Sequence, residues 1–153
     1  GIVCEHRRKM TVRMTRMFNQ HSHTVMTLDY TKTSSKSADQ LTDAVQAAAA
    51  KRNFRTLHVH DVQATLAEKG FDIPAYRIIE VCNAGFAYKA ISAHTPIGMM
   101  LPCRIVVFDK DGTRSAMLMR PGIMGEIMPE ANLGTLPEEV EAILKDVVDE
   151  AVA

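Results

Sequence analysis

Apolar residues recur along the chain with two different periods, one typical of strands and one of helices. In residues 24–31, Met26, Leu28 and Tyr30 alternate with polar neighbours, which predicts a strand with one apolar face. Further strands are predicted over residues 54–60, 76–82, 101–108 and 113–119. A helical stripe near the C-terminus is the clearest in the chain, and it consists of Val140, Ile143, Leu144, Val147, Val148 and Ala151.

Capping and turn residues separate these segments. Four predicted helices have a capping residue at their start, namely Ser37 with Gln40, Asp61, Asn83, and Thr135 with Glu138. The first helix ends near residues 52–53, the second covers residues 62–69 before Gly70, and the third covers residues 84–93. Residues 109–112 (DKDG) predict a hairpin turn in which Gly112 takes a positive φ.

The order of elements predicts an α+β fold. It reads as a strand, a helix, four strands with short helices in their connections, and a long helix. This order favours two layers, a mostly antiparallel sheet of about five strands with helices packed on one face. Residues 105–108 (IVVF) are apolar at consecutive positions, so we expect both faces of that strand to be covered.

Composition and charge narrow the class of protein. The 153 residues are 46% hydrophobic and 24% charged, which is typical of one globular domain and excludes collagen-like and wholly disordered chains. The net charge of zero predicts no nucleic-acid or membrane partner, and no apolar run approaches the ~20 residues of a spanning helix. Three cysteines do not make a disulfide scaffold, so we expect reduced thiols in the cytoplasm.

The two ends of the chain have opposite charges. Residues 1–22 carry a net charge of +4 and predict a basic arm that precedes a single domain over residues 23–153. Residues 136–153 carry −5, so we expect the arm to dock on the acidic helix or on a neighbouring subunit, with a membrane surface or an acidic partner as the alternative. Because the chain begins with Gly1, we expect part of the arm to be foreign to the natural protein.

Four segments together resemble a known family. They occur in the same order and at matching intervals, at residues 61–66 (DVQATL), 74–79 (PAYRII), 82–84 (CNA) and 97–107 (IGMMLPCRIVV). This chain resembles the domain of unknown function 302 family from about residue 25 to residue 151. The resemblance implies a two-layer α+β fold of the TATA-binding-protein type that is commonly dimeric and has no established enzymatic activity. Arg104 stands where the family usually has Asn, and residues 1–22 have no counterpart.

Two cysteines are the sharpest chemical feature. Cys82 ends a predicted strand one residue before the helix cap Asn83, where the helix N-terminus favours a thiolate. If its strand pairs antiparallel with the strand that begins at Cys103, both sulfurs lie at the same end of the sheet. They would then form a thiol pair for disulfide exchange or for a soft ligand. The alternative is that both are small buried hydrophobic residues.

Histidine and methionine suggest a second kind of chemistry. His58 and His60 are two residues apart on a strand and therefore share a face. With Met99, they are the candidate ligands of a haem or a metal ion, although two histidines are not a site by themselves. The alternative is that these are ordinary surface histidines and core methionines.

Two apolar loops predict a pocket. Residues 97–102 (IGMMLP) and 120–129 (RPGIMGEIMP) are too apolar to lie in water, so we expect them to pack together near Cys82 and Asn83. The candidate ligand-binding residues are Cys82, Asn83, Met99, Met100 and Cys103.

Three classes of function follow from these residues. The first is a homodimeric accessory domain that binds an unknown small molecule in an apolar pocket without turnover and without a cofactor. The second is a thiol redox or sulfur-handling protein that uses Cys82 with Cys103 as its partner. The third is haem or metal binding through His58, His60 or Met99.

Overall fold

Five antiparallel strands form one sheet in the order β1-β5-β4-β3-β2. The computed structural model describes residues 27–153, so the predicted basic arm at residues 1–22 lies outside the described residues. The strands are β1 (Asp29–Ser34), β2 (Arg55–Asp61), β3 (Tyr76–Cys82), β4 (Cys103–Lys110) and β5 (Thr113–Met119). The predicted α+β architecture is confirmed.

Two long helices pack on one face of this sheet. The helices are α1 (Ala38–Ala50), α2 (Val62–Ala67), α3 (Ala84–Ala93), α4 (Ile123–Ile127) and α5 (Leu136–Val152). Short 3₁₀ segments at Thr95–Met100 and Pro129–Ala131 complete the connections after α3 and α4. Helices α1 and α5 contact each other and the sheet, whereas α3 follows β3 at the end of the sheet.

The main core lies between the sheet and helices α1 and α5. The predicted stripe of α5 supplies five fully or nearly fully buried residues, which are Val140, Leu144, Val147, Val148 and Ala151. The sheet contributes every second residue of its central strands, because side chains alternate between the two faces. These residues are Ile79, Val81, Ile105, Val107, Ala116 and Leu118, all completely buried. We call this side of the sheet the covered face.

The opposite side of the sheet is the uncovered face, and it corrects one prediction. Val106 and Phe108 of β4 are only partly buried there, while their neighbours Ile105 and Val107 are fully buried. The expectation that both faces of β4 are covered is therefore wrong for residues 27–153, since α1 and α5 pack on one side alone. On β3, β4 and β5 the uncovered face consists of Tyr76, Ile78, Glu80, Arg104, Val106, Phe108, Ser115, Met117 and Met119, and His58 and His60 continue it onto β2.

Three of the four predicted helix caps form as expected. The Ser37 side chain accepts a hydrogen bond from the Gln40 N–H at 3.1 Å, and the Gln40 side chain accepts one from the Ser37 N–H at 3.0 Å. Asp61 and Asn83 cap α2 and α3 in the same manner with their own side chains. Together these caps fix where the three helices begin.

The fourth predicted cap, the capping box of Thr135 with Glu138, is absent. Thr135 has φ −90° and ψ 2°, and its side chain makes no capping hydrogen bond. A capping side chain reaches the helix amides from an extended backbone, which Thr135 does not adopt. Helix α5 instead begins with Pro137 in its first turn, where the missing N–H of proline costs nothing.

Several predicted boundaries move by a few residues. Strand β1 was expected over residues 24–31 but continues to Ser34, because it pairs with β5 along its whole length from Asp29 opposite Met119 to Ser34 opposite Arg114. Strand β4 begins at Cys103, two residues later than predicted, since Pro102 has no N–H for the ladder. The hairpin turn is confirmed, with positive φ at both Asp111 and Gly112.

A partly buried ion-pair cluster joins the end of β5 to α5. Arg120 donates to both carboxylate oxygens of Glu141 at 3.1 and 3.4 Å, and Lys145 lies 3.2 Å from the same carboxylate. The Gly122 N–H donates at 3.1 Å, and a Cβ on Gly122 would lie 2.9 Å from Glu141 Oε1. Burial raises the pKa of Glu141, but the hydrogen bonds from Lys145, Gly122 and Arg120 outweigh it and hold the pKa below its ordinary value.

Candidate functional site

The two cysteines lie at the same end of the sheet. Strands β3 and β4 pair antiparallel with Val81 opposite Cys103, so Cys82 is the next residue along β3. Both thiols are free and partly exposed. The antiparallel pairing that sequence reasoning required for their proximity is therefore present.

A small apolar cavity lies beside these thiols. Its volume is about 30 Å³, and it is partly open to solvent. Strands β3 and β4, helices α3, α4 and α5, and the loops between them supply its walls. The lining residues are Phe54, Val81, Cys82, Asn83, Phe86, Ala87, Ala90, Leu101, Pro102, Cys103, Met124, Leu136, Pro137 and Val140. We call this space the thiol cavity.

Both apolar loops identified in the sequence contribute to the thiol cavity. Leu101 and Pro102 come from the first loop, and Met124 comes from the second. Three of the five candidate residues, Cys82, Asn83 and Cys103, are also in its lining. Met99 is not, since it is 75% exposed and does not belong to the buried cluster around Ile97.

A second, smaller cavity adjoins the first. It has a volume of about 10 Å³ and is lined by Met100, Pro102, Cys103, Arg104, Met119, Arg120, Pro121 and Met124. Pro102, Cys103 and Met124 belong to both linings, so they form the wall between the two spaces. We call the second space the methionine cavity. Met100, a candidate residue from the sequence, lies here instead of in the thiol cavity.

Asn83 has a structural task at the cavity wall. Its Oδ1 accepts a hydrogen bond from the Phe86 N–H, and its Nδ2 donates to the carbonyl of Asn53, each at 3.0 Å. The two ends of the amide are thus engaged in capping α3 and in joining it to the loop before β2. Asn83 therefore positions Phe86 in the cavity lining. Both ends of its side-chain amide are already hydrogen-bonded within the protein.

Burial controls the chemistry of Cys103. Burial, the largest effect, and the neighbouring Cys82 raise the pKa of its thiol, Arg104 lowers it, and together they bring the pKa to about 11. At neutral pH the thiol is therefore protonated. Since the thiolate is the nucleophile in disulfide exchange, this environment disfavours Cys103 as the attacking group of a redox pair.

The two histidines lie on edge strand β2. His58 and His60 are both exposed, and their ring centroids are 4.4 Å apart in an edge-to-face arrangement. His60 contacts the Glu80 carboxylate across the strand pair. Within residues 27–153, no three His, Cys, Asp or Glu side chains are placed to hold a metal ion together.

Sequence reasoning missed the helix side of the thiol cavity. Phe86, Ala87 and Ala90 face it from α3, and Phe54 closes it from the loop before β2, with its ring centroid 6.1 Å from that of Phe86. The spacing of residues 86, 87 and 90 on one helix face is a detectable signal. That this face meets the cysteines depends on how α3 folds back after Asn83, which no local pattern specifies.

The fold and the site together define a class of protein, a two-layer α+β domain with free thiols beside an apolar cavity at one end of its sheet. The family described as "Domain of unknown function DUF302" matches residues 30–151. The chain belongs to this family, as its sequence motifs indicated.

One solved structure carries the same fold. It is the crystal structure of an uncharacterised conserved protein DUF302 from Bacillus stearothermophilus, with a TM-score of 0.78 and 24% sequence identity. The comparison covers 82% of this chain and 99% of the other. No curated protein matches the chain. No helix in residues 27–153 is sufficiently long and apolar to cross a membrane.

Proposed function

We propose that the protein is a non-enzymatic binding domain whose ligand inserts an apolar end into the thiol cavity. The main observation in support of this proposal is a partly open cavity with an almost entirely apolar lining. Such spaces bind small molecules through burial of apolar surface. The raised pKa of Cys103 and the hydrogen-bonded amide of Asn83 support binding without turnover.

The size of the cavity restricts the ligand. A buried water needs about 10–15 Å³ of such volume, so a cavity of about 30 Å³ holds a group of two or three heavy atoms. Burying that many carbons contributes about 2 kcal/mol, which is too little for specific binding after the cost of association. The rest of the ligand must therefore lie outside the cavity or displace a lining side chain such as Phe86.

A titration with straight-chain alcohols from ethanol to decanol tests the proposal. We expect saturable chemical-shift changes at Ala87 and Ala90 in two-dimensional NMR spectra, with affinity that increases with chain length until the cavity is full. Ala90→Leu fills the cavity and should weaken binding by about tenfold or more, because a loss of 1.4 kcal/mol already has that effect.

Ala93→Leu is the matched control, since Ala93 lies at the exposed end of the same helix. It should bind like the unmodified protein. Ala87→Leu is a second cavity-filling variant in case Ala90→Leu does not fold. Unsaturable shifts, or equal binding by the filled and control variants, would contradict the proposal.

We further propose that the protein is a homodimer joined through the uncovered face. Ile78 and Val106 lie opposite each other in the ladder, and Met117 extends this apolar row onto β5. In the neighbouring row Glu80, whose carboxylate also contacts His60, lies opposite Arg104, which makes no ion pair among residues 27–153. An apolar row beside opposite charges is the pattern of a self-complementary surface.

A two-fold axis that runs between β3 and β4, parallel to the strands, makes this surface match itself. It places Ile78 against Val106 of the second copy and Glu80 against Arg104 of the second copy. Each copy therefore supplies one acidic and one basic residue to two equivalent ion pairs.

Charge reversal tests this arrangement. Glu80→Arg and Arg104→Glu should each be monomeric by sedimentation velocity, because like charges then meet at the interface. An equimolar mixture of the two variants should form a heterodimer, since both ion pairs are restored between chains. Neither variant regains an ion pair within its own chain. A mixture that stays monomeric, or single variants that dimerise, would contradict the proposal.

The free thiols also bear on the cellular compartment. Cys82 and Cys103 are unpaired although they lie at the same end of the sheet. Reduced cysteines in this position are typical of a cytoplasmic protein, and we propose that compartment.

A further inference from the structure

Sulfur-bearing side chains are concentrated around the two cavities. Cys82 lines the thiol cavity, Met100 and Met119 line the methionine cavity, and Cys103 and Met124 line both. Met124 is buried, and Met100 packs against the same apolar cluster. Met119 is 39% exposed. The lining of the methionine cavity thus combines the thiol of Cys103 with the thioethers of Met100 and Met124.

We propose that the methionine cavity is a binding site for monovalent copper, held by the thiolate of Cys103 and the thioethers of Met100 and Met124. Thiolate and thioether ligands are soft and select Cu(I) over the harder divalent ions. A structural zinc site, in contrast, uses four thiolate, imidazole or carboxylate ligands. No three side chains of those types converge in residues 27–153, so the ligand set favours copper.

The binding step exchanges a proton for the metal ion. The Cys103 S–H bond breaks, a copper–sulfur bond forms, and the proton leaves to solvent. Copper enters and stays as Cu(I), so no oxidant or reductant takes part. Because the thiol must release its proton before the copper–sulfur bond forms, the affinity for copper should increase as the pH rises.

The charges around the methionine cavity are compatible with this ion. Arg120 lines the cavity, but its guanidinium is paired with both oxygens of Glu141. Arg104 also lines this cavity, and its positive charge beside Cys103 favours the thiolate that binds the metal. A thiolate with Cu(I) has no net charge, whereas a thiolate with a divalent ion has a charge of +1. A nearby arginine therefore repels the Cu(I) complex less.

Competition with bicinchoninate under anaerobic conditions tests the site. We expect one Cu(I) per chain, and X-ray absorption of the loaded protein should show sulfur ligands alone. Cys103→Ala should lose the copper. Met100→Leu and Met124→Leu should each weaken binding by roughly tenfold or more, because loss of a mere supporting partner of a metal ligand already costs about that much.

Two controls separate this site from its surroundings. Met99→Leu removes an exposed thioether outside both linings and should bind copper normally. Ala87→Leu fills the thiol cavity from a residue that is outside the methionine cavity and outside the cluster that holds Met100 and Met124, so it should retain copper even though it loses the apolar ligand. Copper retained by Cys103→Ala, nitrogen or oxygen ligands in the absorption spectrum, or unchanged affinity in both methionine variants would overturn the proposal.

Discussion

Over residues 105–108 of β4, the two faces of the sheet are equally apolar but have different environments. On the covered face, Ile105 and Val107 of β4 are fully buried beneath α1 and α5. On the uncovered face, Val106 and Phe108 of the same strand are only partly buried, although they are equally apolar. The difference shows that apolar character along a strand indicates a need for cover without identifying what provides it.

Substitutions of two adjacent valines test this difference between the two faces most directly. Val107→Ala and Val106→Ala remove the same two methyl groups from neighbouring positions on opposite faces. Val107→Ala should lower the free energy of unfolding by about 2–3 kcal/mol, because it leaves a cavity in a close-packed core. Val106→Ala should cost about 1 kcal/mol or less in the monomer, since its side chain is already partly in contact with water.

Urea denaturation at several protein concentrations measures both effects. If a second copy covers Val106, the cost of Val106→Ala will increase with protein concentration, because dimerisation adds to the apparent stability. The cost of Val107→Ala will not. Equal losses for the two variants at the lowest concentration would mean that the two faces are equally covered in the monomer.

The sequence predicted the helices and strands better than it predicted which elements pack against them. The period of residues 140–151 predicted α5, and the capping residues Ser37, Asp61 and Asn83 predicted the starts of three helices, because both signals are local. Residues 105–108 correctly predicted strand β4, but they wrongly predicted that its outer face is covered. Whether a helix covers a strand depends on long-range packing, which consecutive apolar residues do not encode.

Cys103 extends the comparison to a group on the covered side that can ionise. Its thiol has a pKa of about 11 in the folded protein against an ordinary value of 9.0. At a pH between these two values, Cys103 is deprotonated in the unfolded chain but keeps its proton in the folded chain. Stability is therefore fully present below pH 9 and should fall by about 2 kcal/mol as the pH rises to about 11.

The difference in unfolding free energy between the unmodified protein and Cys103→Ala isolates this effect from other groups that titrate at high pH. The difference should shrink as pH rises from 9 to 11 under reducing conditions. Cys82→Ala keeps the buried thiol and should retain most of the pH dependence of the unmodified protein. A constant difference across this range would contradict the raised pKa.

The candidate site was only partly predictable for the same physical reason. Cys82 and Cys103 lie at matching ends of paired strands, so a correct antiparallel pairing is enough to bring them together. Met124 and Phe86 reach the cavities from α4 and α3, and no spacing relates them to the cysteines. Met99 and Met100 are adjacent in sequence, yet one is exposed and the other is partly buried.

The smallest expected effect on stability concerns the residues that precede the two helices packed on the covered face. Ser37 caps α1 with its side chain, whereas Thr135 precedes α5 without a side-chain cap, and both residues are exposed. Ser37→Ala should cost about 1 kcal/mol of unfolding free energy, since it removes a hydrogen bond to an amide with no other partner in the helix. Thr135→Ala should cost less than about 0.5 kcal/mol, because it removes no capping bond.

Thermal and urea denaturation of the two variants measure this difference against the same parent. Gln40→Ala is the control for Ser37, because it removes only the reciprocal half of the capping box and should have a smaller effect. A loss at Thr135 as large as that at Ser37 would show that its hydroxyl caps α5 in solution. The predicted box with Glu138 would then be correct, and the covering of this face would be encoded locally at both long helices.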